Sequence, residues 1–307
     1  MYRTFIVRER TNTPTTIMSN LALRLITGSV FVVVLVSSIW FSVWTMALLF
    51  LVIAILGLAE FYRLATKANA QPLRIYSTIL GALVVAGAFM LRRNVFPYAA
   101  LAIIPAFFLI FFVELYRNKP NPFTNIAWSI LGLVYIALPI AMLIIAFVPK
   151  MDQNIGWFGD TWESHYNWKP VLALFVLIWV SDSMAYVCGR LFGRNKLWER
   201  ISPKKTWEGF IGGTLFCMGT GFAFGHWMMD DGGTMKNEIM WSLIALTTAV
   251  TGMLGDLVES LFKRSIDVKD SGTILPGHGG ILDRFDALFL SVPFTLTVYW
   301  LCEAFLA

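Results

Sequence analysis

Charge is what this chain has least of. Only 14% of its 307 residues are Asp, Glu, Lys or Arg, against about 25% in an ordinary soluble domain. Few charges combined with many apolar residues exclude a disordered chain, and 23 Gly and 12 Pro without a repeat exclude a collagenous one. Cysteine is equally scarce. Cys188, Cys217 and Cys302 are odd in number and lack CxxC spacing, so neither a disulfide framework nor a zinc site is supported. No GxxxxGK[ST], GxSxG or HExxH occurs, which disfavours a P-loop ATPase, a serine hydrolase and a zinc protease. No internal repeat of the kind found in many transporters is visible. What remains is apolar: 57% of the residues are hydrophobic and the mean hydropathy is +0.68. Apolar runs of transmembrane length recur along the chain, so the expected fold is all-α, a polytopic transmembrane helical bundle.

At about 20 apolar residues per crossing, nine spans are expected. They start near Leu25, Val43, Ile75, Tyr98, Ile126, Pro170, Phe210, Ile239 and Phe285. The run from Leu25 to Leu58 is too long for one crossing and breaks around Ser42, which predicts a tight hairpin. Arg3, Arg8, Arg10 and Arg24 precede the first span. The apolar run continues past Ser37 and Ser38, as in an uncleaved span rather than a removed secretory signal. With residues 1–24 as a cytoplasmic segment, all 24 Lys and Arg fall on the cytoplasmic side except Arg92, Arg93, Lys150, Lys169 and Lys236. The positive-inside rule then selects N-in, C-out. Trp157, Trp162, Tyr166 and Trp168 crowd the outside loop from Pro149 to Lys169, as aromatic anchors at headgroup level do. The basic residues lie in short clusters between apolar runs, a pattern of topology signals, and nucleic acid is not an expected partner.

The reading divides the chain into this N-terminal segment and a single integral membrane domain over 25–307, with its catalytic part in 170–307. Spans of the first half are poor in polar residues, whereas those after Pro170 carry charges inside and at their ends. Asp182 sits deep in LIWVSDSMAYVCGRLFGR, where an ionisable group is costly and faces a protein interior or a wet cavity, or pairs with a nearby Lys or Arg. The segment RNKLWERISPKKTWEG is basic, with Ser202, Lys204, Lys205 and Thr206 leading into a helix start. It reads either as a loop attracted to anionic lipid or as backbone amides and two lysines presented to a phosphate. Gly209 and Gly213, then Gly221 and Gly225, have the small-xxx-small spacing of close helix packing.

In GMLGDLVESLFKRSIDVKD, Asp256, Glu259 and Ser260 share a helical face. Lys263 follows Glu259 by four, an ordinary ion-pair spacing, while Asp256 has no basic residue at either helical spacing and is the stronger functional choice. KDSGTILPGHGGILDRFDALFL then supplies Gly272, Pro276, Gly277, Gly279 and Gly280, a turn that permits close backbone approach to a ligand. Asp283 and Asp286 follow on the first turn of the last span, where carboxylates also complement a helix dipole. Together these pieces suit a site in which Asp256, Asp283 and Asp182 hold magnesium. Lys263, Arg264, Lys269 and Arg284 would neutralise phosphates beside the glycine turn. Phosphoryl or nucleotidyl transfer is the chemistry such a site supports.

The stretch SLFKRSIDVKDSGTILPGHGGILDRFD, Ser260 to Asp286, resembles the signature of phosphatidate cytidylyltransferases, the CDP-diacylglycerol synthases. SDSMAYVCGRLFGR and SPKKTWEG resemble upstream blocks of that family, so the likeness covers about the C-terminal 45%. It implies transfer of CMP from CTP to phosphatidic acid in a magnesium-dependent membrane enzyme, often a homodimer, facing the cytoplasm from the inner (plasma) membrane. It also implies catalytic roles for Asp256, Asp283, Lys263, Arg264, Lys269, His278 and Arg284, and substrate contacts from Ser202, Lys204, Lys205, Thr206, Ser260, Gly279, Gly280 and Asp286. Three other readings compete. A CTP-using lipid-alcohol kinase or ether-lipid cytidylyltransferase is the nearest, an anion transporter is further off, and a noncatalytic lipid-binding protein is last. No His, Ser or Cys stands in a recognisable nucleophile–base arrangement, which favours direct displacement on phosphorus over a covalent intermediate.

Overall fold

A computed structural model describes residues 20–94, 97–148, 166–227, 233–274 and 279–305. Ten α-helices follow in order: α1 Asn20–Phe41, α2 Val43–Lys67, α3 Arg74–Arg92, α4 Ile103–Arg117, α5 Pro122–Gly132, α6 Leu138–Phe147, α7 Lys169–Phe192, α8 Trp207–Trp227, α9 Met235–Ser265 and α10 Leu282–Phe305. A 3-10 turn over Pro97–Ala102 leads into α4, and a π turn over Leu133–Ala137 joins α5 to α6. That wide turn abuts Pro139, which has no N–H to continue an α ladder. The chain is an all-α polytopic membrane bundle. Each expected span start falls on one of these helices or its adjoining turn. Seven helical stretches among the described residues are long and apolar enough to cross a membrane. The apolar part of α1, Leu25–Phe41, is shorter, and α8, diluted by glycine, is not among the seven.

The predicted break near Ser42 is a single-residue turn. Its hydroxyl caps α2 by accepting the Trp44 N–H at 3.2 Å, and Thr45 Oγ1 donates to the Ser38 and Ser42 carbonyls at 2.7 and 2.8 Å. Most of the Pro149–Lys169 loop lies outside the described residues. Its last part packs back on α1, with Tyr166 donating to the Ile39 carbonyl at 2.7 Å and Trp168 edge-on to Trp40. Arg92 Nε reaches the Val148 carbonyl at 2.8 Å, so the ends of α3 and α6 meet as well. At the other ends of these helices, Arg117 Nη1 donates to the Gln71 carbonyl and the Gln71 N–H donates to Asn125 Oδ1. The helices from α3 to α6 thus meet at two opposite ends of this part of the bundle.

Two apolar clusters hold the bundle. The larger is built on α2, where Phe50, Leu58 and Tyr62 are buried, and it extends to Phe175 of α7 and Phe285 of α10. Phe50 stacks on Phe175, and Phe31 meets Phe285 edge-on, locking the N-terminal helices to the C-terminal ones. The smaller cluster lies among α7 to α10, around Leu177, Cys217, Trp241 and Ala245. Here α8 approaches its neighbours backbone to backbone, as its small-residue spacing predicts: a Cβ on Gly213 would overlap the Ser181 carbonyl, and one on Gly221 would overlap that of Trp241.

Candidate functional site

The segment between α7 and α8 is a β-hairpin, a departure from the expected loop. Strands β1 Lys196–Trp198 and β2 Ser202–Thr206 pair antiparallel, Lys196 opposite Thr206 and Trp198 opposite Ser202. Nor are the amides at the start of α8 all free, because Thr206 Oγ1 accepts the Gly209 N–H at 3.2 Å. Glu208 turns back to accept the N–H groups of Arg194 and Asn195, tying the hairpin to α8. Ser202 and Thr206 thus serve the hairpin and the helix cap. The two lysines between them differ in exposure: Lys204 is exposed, and Lys205 Nζ lies 2.6 Å from Asp256 Oδ2 on α9.

Asp256, which has no basic neighbour on its own helix, receives its counter-charge from the hairpin, and its Oδ1 accepts the Ser260 hydroxyl at 3.1 Å. Asp182, Asp256, Lys204, Lys205 and Arg190 line one cavity of about 320 Å³ between α7, α8, α9 and the hairpin. Asp182 also lines a second cavity, about 250 Å³, with Asp283, Arg284 and Asp286, closed by Phe31 and Val32 of α1. It has no hydrogen-bond partner among the described residues. Asp182 therefore stands between two cavities, one basic and one walled partly by α1.

Asp283 is the most heavily bonded carboxylate of the site. Its Oδ1 accepts from Lys263 Nζ at 2.6 Å, and its Oδ2 accepts from the Ser271 N–H and hydroxyl at 2.9 Å each and from the Gly280 N–H at 2.8 Å. Gly279, at φ +86°, leaves no room beside that carboxylate for a Cβ. The glycines before the last span thus fold the chain around Asp283. Lys263 bridges Asp283 and Glu259, 2.8 Å from the latter, using two of its three donors. The expected Glu259–Lys263 pair exists, with Glu259 buried and Lys263 half-buried, and extends to a third residue. Asp286 accepts the Ala287 N–H at 2.8 Å and lies within electrostatic range of Glu259 and Asp256. Arg264 and Lys269 are exposed at the end of α9 and just after it. His278 and Pro276 lie outside the described residues.

Among the described residues no three His, Cys, Asp or Glu side chains form a ready-made metal cage. A magnesium ion does not need one, since it binds through one or two carboxylates and completes its shell with water and substrate phosphate. The residues fit that requirement: they are hard oxygen donors, and cationic ammonium groups now rest against both Asp256 and Asp283.

Sequence reasoning overlooked Glu60, on α2 in the polar-poor half. It is 1% exposed, and its Oε2 accepts the Leu282 N–H at 2.9 Å and lies 3.2 Å from the Ser271 hydroxyl. Arg63, one turn on, donates to the Ser271 carbonyl at 3.3 Å. A glutamate two residues beyond Leu58, with an arginine three later, was the available signal.

Fold and site together define a polytopic helical membrane protein whose clustered carboxylates and cations surround cavities at one end of the bundle. The model of the family described as "Cytidylyltransferase family" matches residues 22–302, and the chain belongs to that family. It is 38% identical over 168 residues to a phosphatidate cytidylyltransferase of Haemophilus influenzae, covering 53% of this chain and 58% of that one. To the protein of that name from Staphylococcus aureus it is 48% identical over 125 residues, 40% of this chain and 46% of the relative. A Staphylococcus haemolyticus protein of the same name is 47% identical over the same length. The chain spans about half the length of the curated relatives it matches.

Proposed function

We propose that this chain transfers CMP from CTP to phosphatidic acid, forming CDP-diacylglycerol and pyrophosphate. The observation that carries the reading is the convergence of Asp182, Asp256, Lys204 and Lys205 on one cavity, beside a glycine turn wrapped around Asp283. A phosphate oxygen of the lipid attacks the α-phosphorus of CTP, the bond from that phosphorus to the β-phosphate oxygen breaks, and the electron pair leaves with pyrophosphate. Lys204, Lys205 and Arg190 hold anionic oxygens in the basic cavity, while Arg284, Arg264, Lys269 and one remaining donor of Lys263 serve phosphate at the other side. Asp256 and Asp283, with Asp182 beside them, would hold magnesium, which would offset charge on the nucleotide phosphates. Ser260 orients Asp256, Gly279 and Gly280 shape the turn, and His278 either contacts phosphate or braces that turn. Two polyanions brought together in this way react largely by positioning and charge neutralisation.

The same proposal places the active end of the bundle at the cytoplasmic face of the inner (plasma) membrane, with nine crossings, N-in and C-out. Residues 1–24 form the cytoplasmic segment, 25–307 one membrane domain with chemistry in 170–307, and two copies pair as a homodimer. Abundant basic residues at the 67–74, 117–122 and 192–206 ends support the orientation. Purified protein given magnesium, phosphatidic acid and CTP labelled at the α- or the γ-phosphorus tests the reaction. The α label is expected in lipid and the γ label in pyrophosphate alone; γ label in lipid would make the chain a kinase instead.

A further inference from the structure

The catalytic motifs all lie after Pro170, yet the best-buried carboxylate touching the glycine turn comes from α2. Glu60 Oε2 accepts the Leu282 N–H, more than two hundred residues away in sequence, at the first residue of α10. The Ser271 hydroxyl stands between two carboxylates, 3.2 Å from Glu60 Oε2 and 2.9 Å from Asp283 Oδ2, so one hydroxyl links α2 to the most heavily bonded aspartate of the site. Arg63 adds a bond to the Ser271 carbonyl. Space around this junction is tight: a Cβ on Gly272 would overlap Glu60 Oε1, and one on Gly280 would overlap both Glu60 Oε2 and Ser271 Oγ. Two glycines of the turn thus leave room for a side chain of the other half.

Burying a carboxylate is costly unless its acceptors are used, and Glu60 Oε1 has no hydrogen-bond partner among the described residues. A pure packing role would be served better by Leu or Met, which carry no polar atom to orphan. What the carboxylate adds is direction: it holds the first N–H of α10 and the Ser271 hydroxyl, and thereby both ends of the turn that presents Asp283. From Asp283 the chain of contacts continues through Lys263 to Glu259.

We propose that Glu60, assisted by Arg63, is a positioning residue for the transfer site. It acts from the N-terminal half by clamping Ser271 and Leu282, and so sets the aim of Asp283. The kinetic part of this proposal rests on the functional reading above. Glu60→Gln keeps a carbonyl for the Leu282 N–H, Glu60→Asp falls a methylene short, and Glu60→Ala removes the clamp. Outer partners of metal ligands cost about ten- to a hundredfold when removed. Glu60→Ala and Glu60→Asp should therefore lower kcat by about tenfold or more, with KM for CTP within about threefold, while Glu60→Gln should stay within about threefold of wild type. Amide hydrogen exchange, which needs no substrate, should quicken about tenfold at Ser271, Gly280 and Leu282 in the Ala and Asp variants and stay unchanged along α8. Unchanged kcat in both variants, or exchange rising evenly over every helix, would overturn the proposal. If Glu60→Ala cannot be isolated folded, Glu60→Asp carries the same comparison. If wild-type protein transfers no CMP, the functional reading falls, and the exchange measurement still decides the clamp.

Discussion

The first half of this chain buries glutamates, Glu60 and Glu114, whereas the second sets aspartates along its cavities, and the two treat their carboxylates differently. In the first half, Glu114 of α4 is 2% exposed and closed in on itself: Oε2 accepts from Arg117 at 2.5 Å and Oε1 from Asn125 at 2.7 Å. Asn125 and Ser129 extend the network to the backbone at Gln71 and Leu73, which ties the α2–α3 turn to α5. In the second half, Asp182 and Asp256 open onto cavities, and the cation that answers Asp256 arrives from a separate hairpin. A carboxylate sealed in among its partners holds a fold, whereas one that lines a cavity, as Asp182, Asp256 and Asp283 do, stays within reach of a ligand even while it is bonded.

The largest effect expected from this contrast is on turnover. Asp256→Asn or Asp283→Asn should reduce CMP transfer by about a hundredfold or more while the protein still elutes as folded material, and a chelator should do the same reversibly to wild type. Full activity of either variant at ordinary magnesium would place the metal elsewhere. Next comes stability: Glu114→Ala leaves Arg117 only the Gln71 carbonyl and Asn125 Nδ2 only the Pro120 carbonyl, and should cost about 1–2 kcal/mol in denaturant titration. Turnover per folded molecule should change little; a large kinetic loss there would erase the difference between the halves. Lys205→Ala leaves Asp256 without its partner, and about a tenfold rise in KM for one substrate is expected in steady-state kinetics, with weaker dependence on salt. The smallest effect concerns sidedness. Trp198→Cys, on an exposed strand, should be nearly silent kinetically and should react with an impermeant maleimide only from the cytoplasmic face; reaction from the opposite face would invert the proposed orientation.

Much of this was legible in the amino-acid order because a membrane penalises polar groups so heavily. Apolar runs marked the helices, and the rare charges within them, Asp182, Asp256, Asp283 and Asp286, stood out against that background. Contacts between distant segments left no such mark. Lys205 and Asp256 are 51 positions apart, and nothing local announces their pairing. The hairpin was hidden because its strands are three and five residues long and one contains Pro203. Glu60 was passed over because it has no carboxylate neighbour at helical spacing; its significance lies entirely in where Ser271 and Leu282 come to rest.

The length of α9 has a consequence for where a reaction can occur. Its 31 residues make it about 46 Å long at roughly 1.5 Å per residue, while the hydrocarbon layer is about 30 Å thick. Such a helix outruns that layer even when tilted, and a bilayer set around its apolar stretch would leave the basic last turn, with Lys263 and Arg264, at the depth of the lipid headgroups. A lipid phosphate would therefore meet those cations without leaving its leaflet, and a water-soluble nucleotide would need to travel no deeper than the membrane surface.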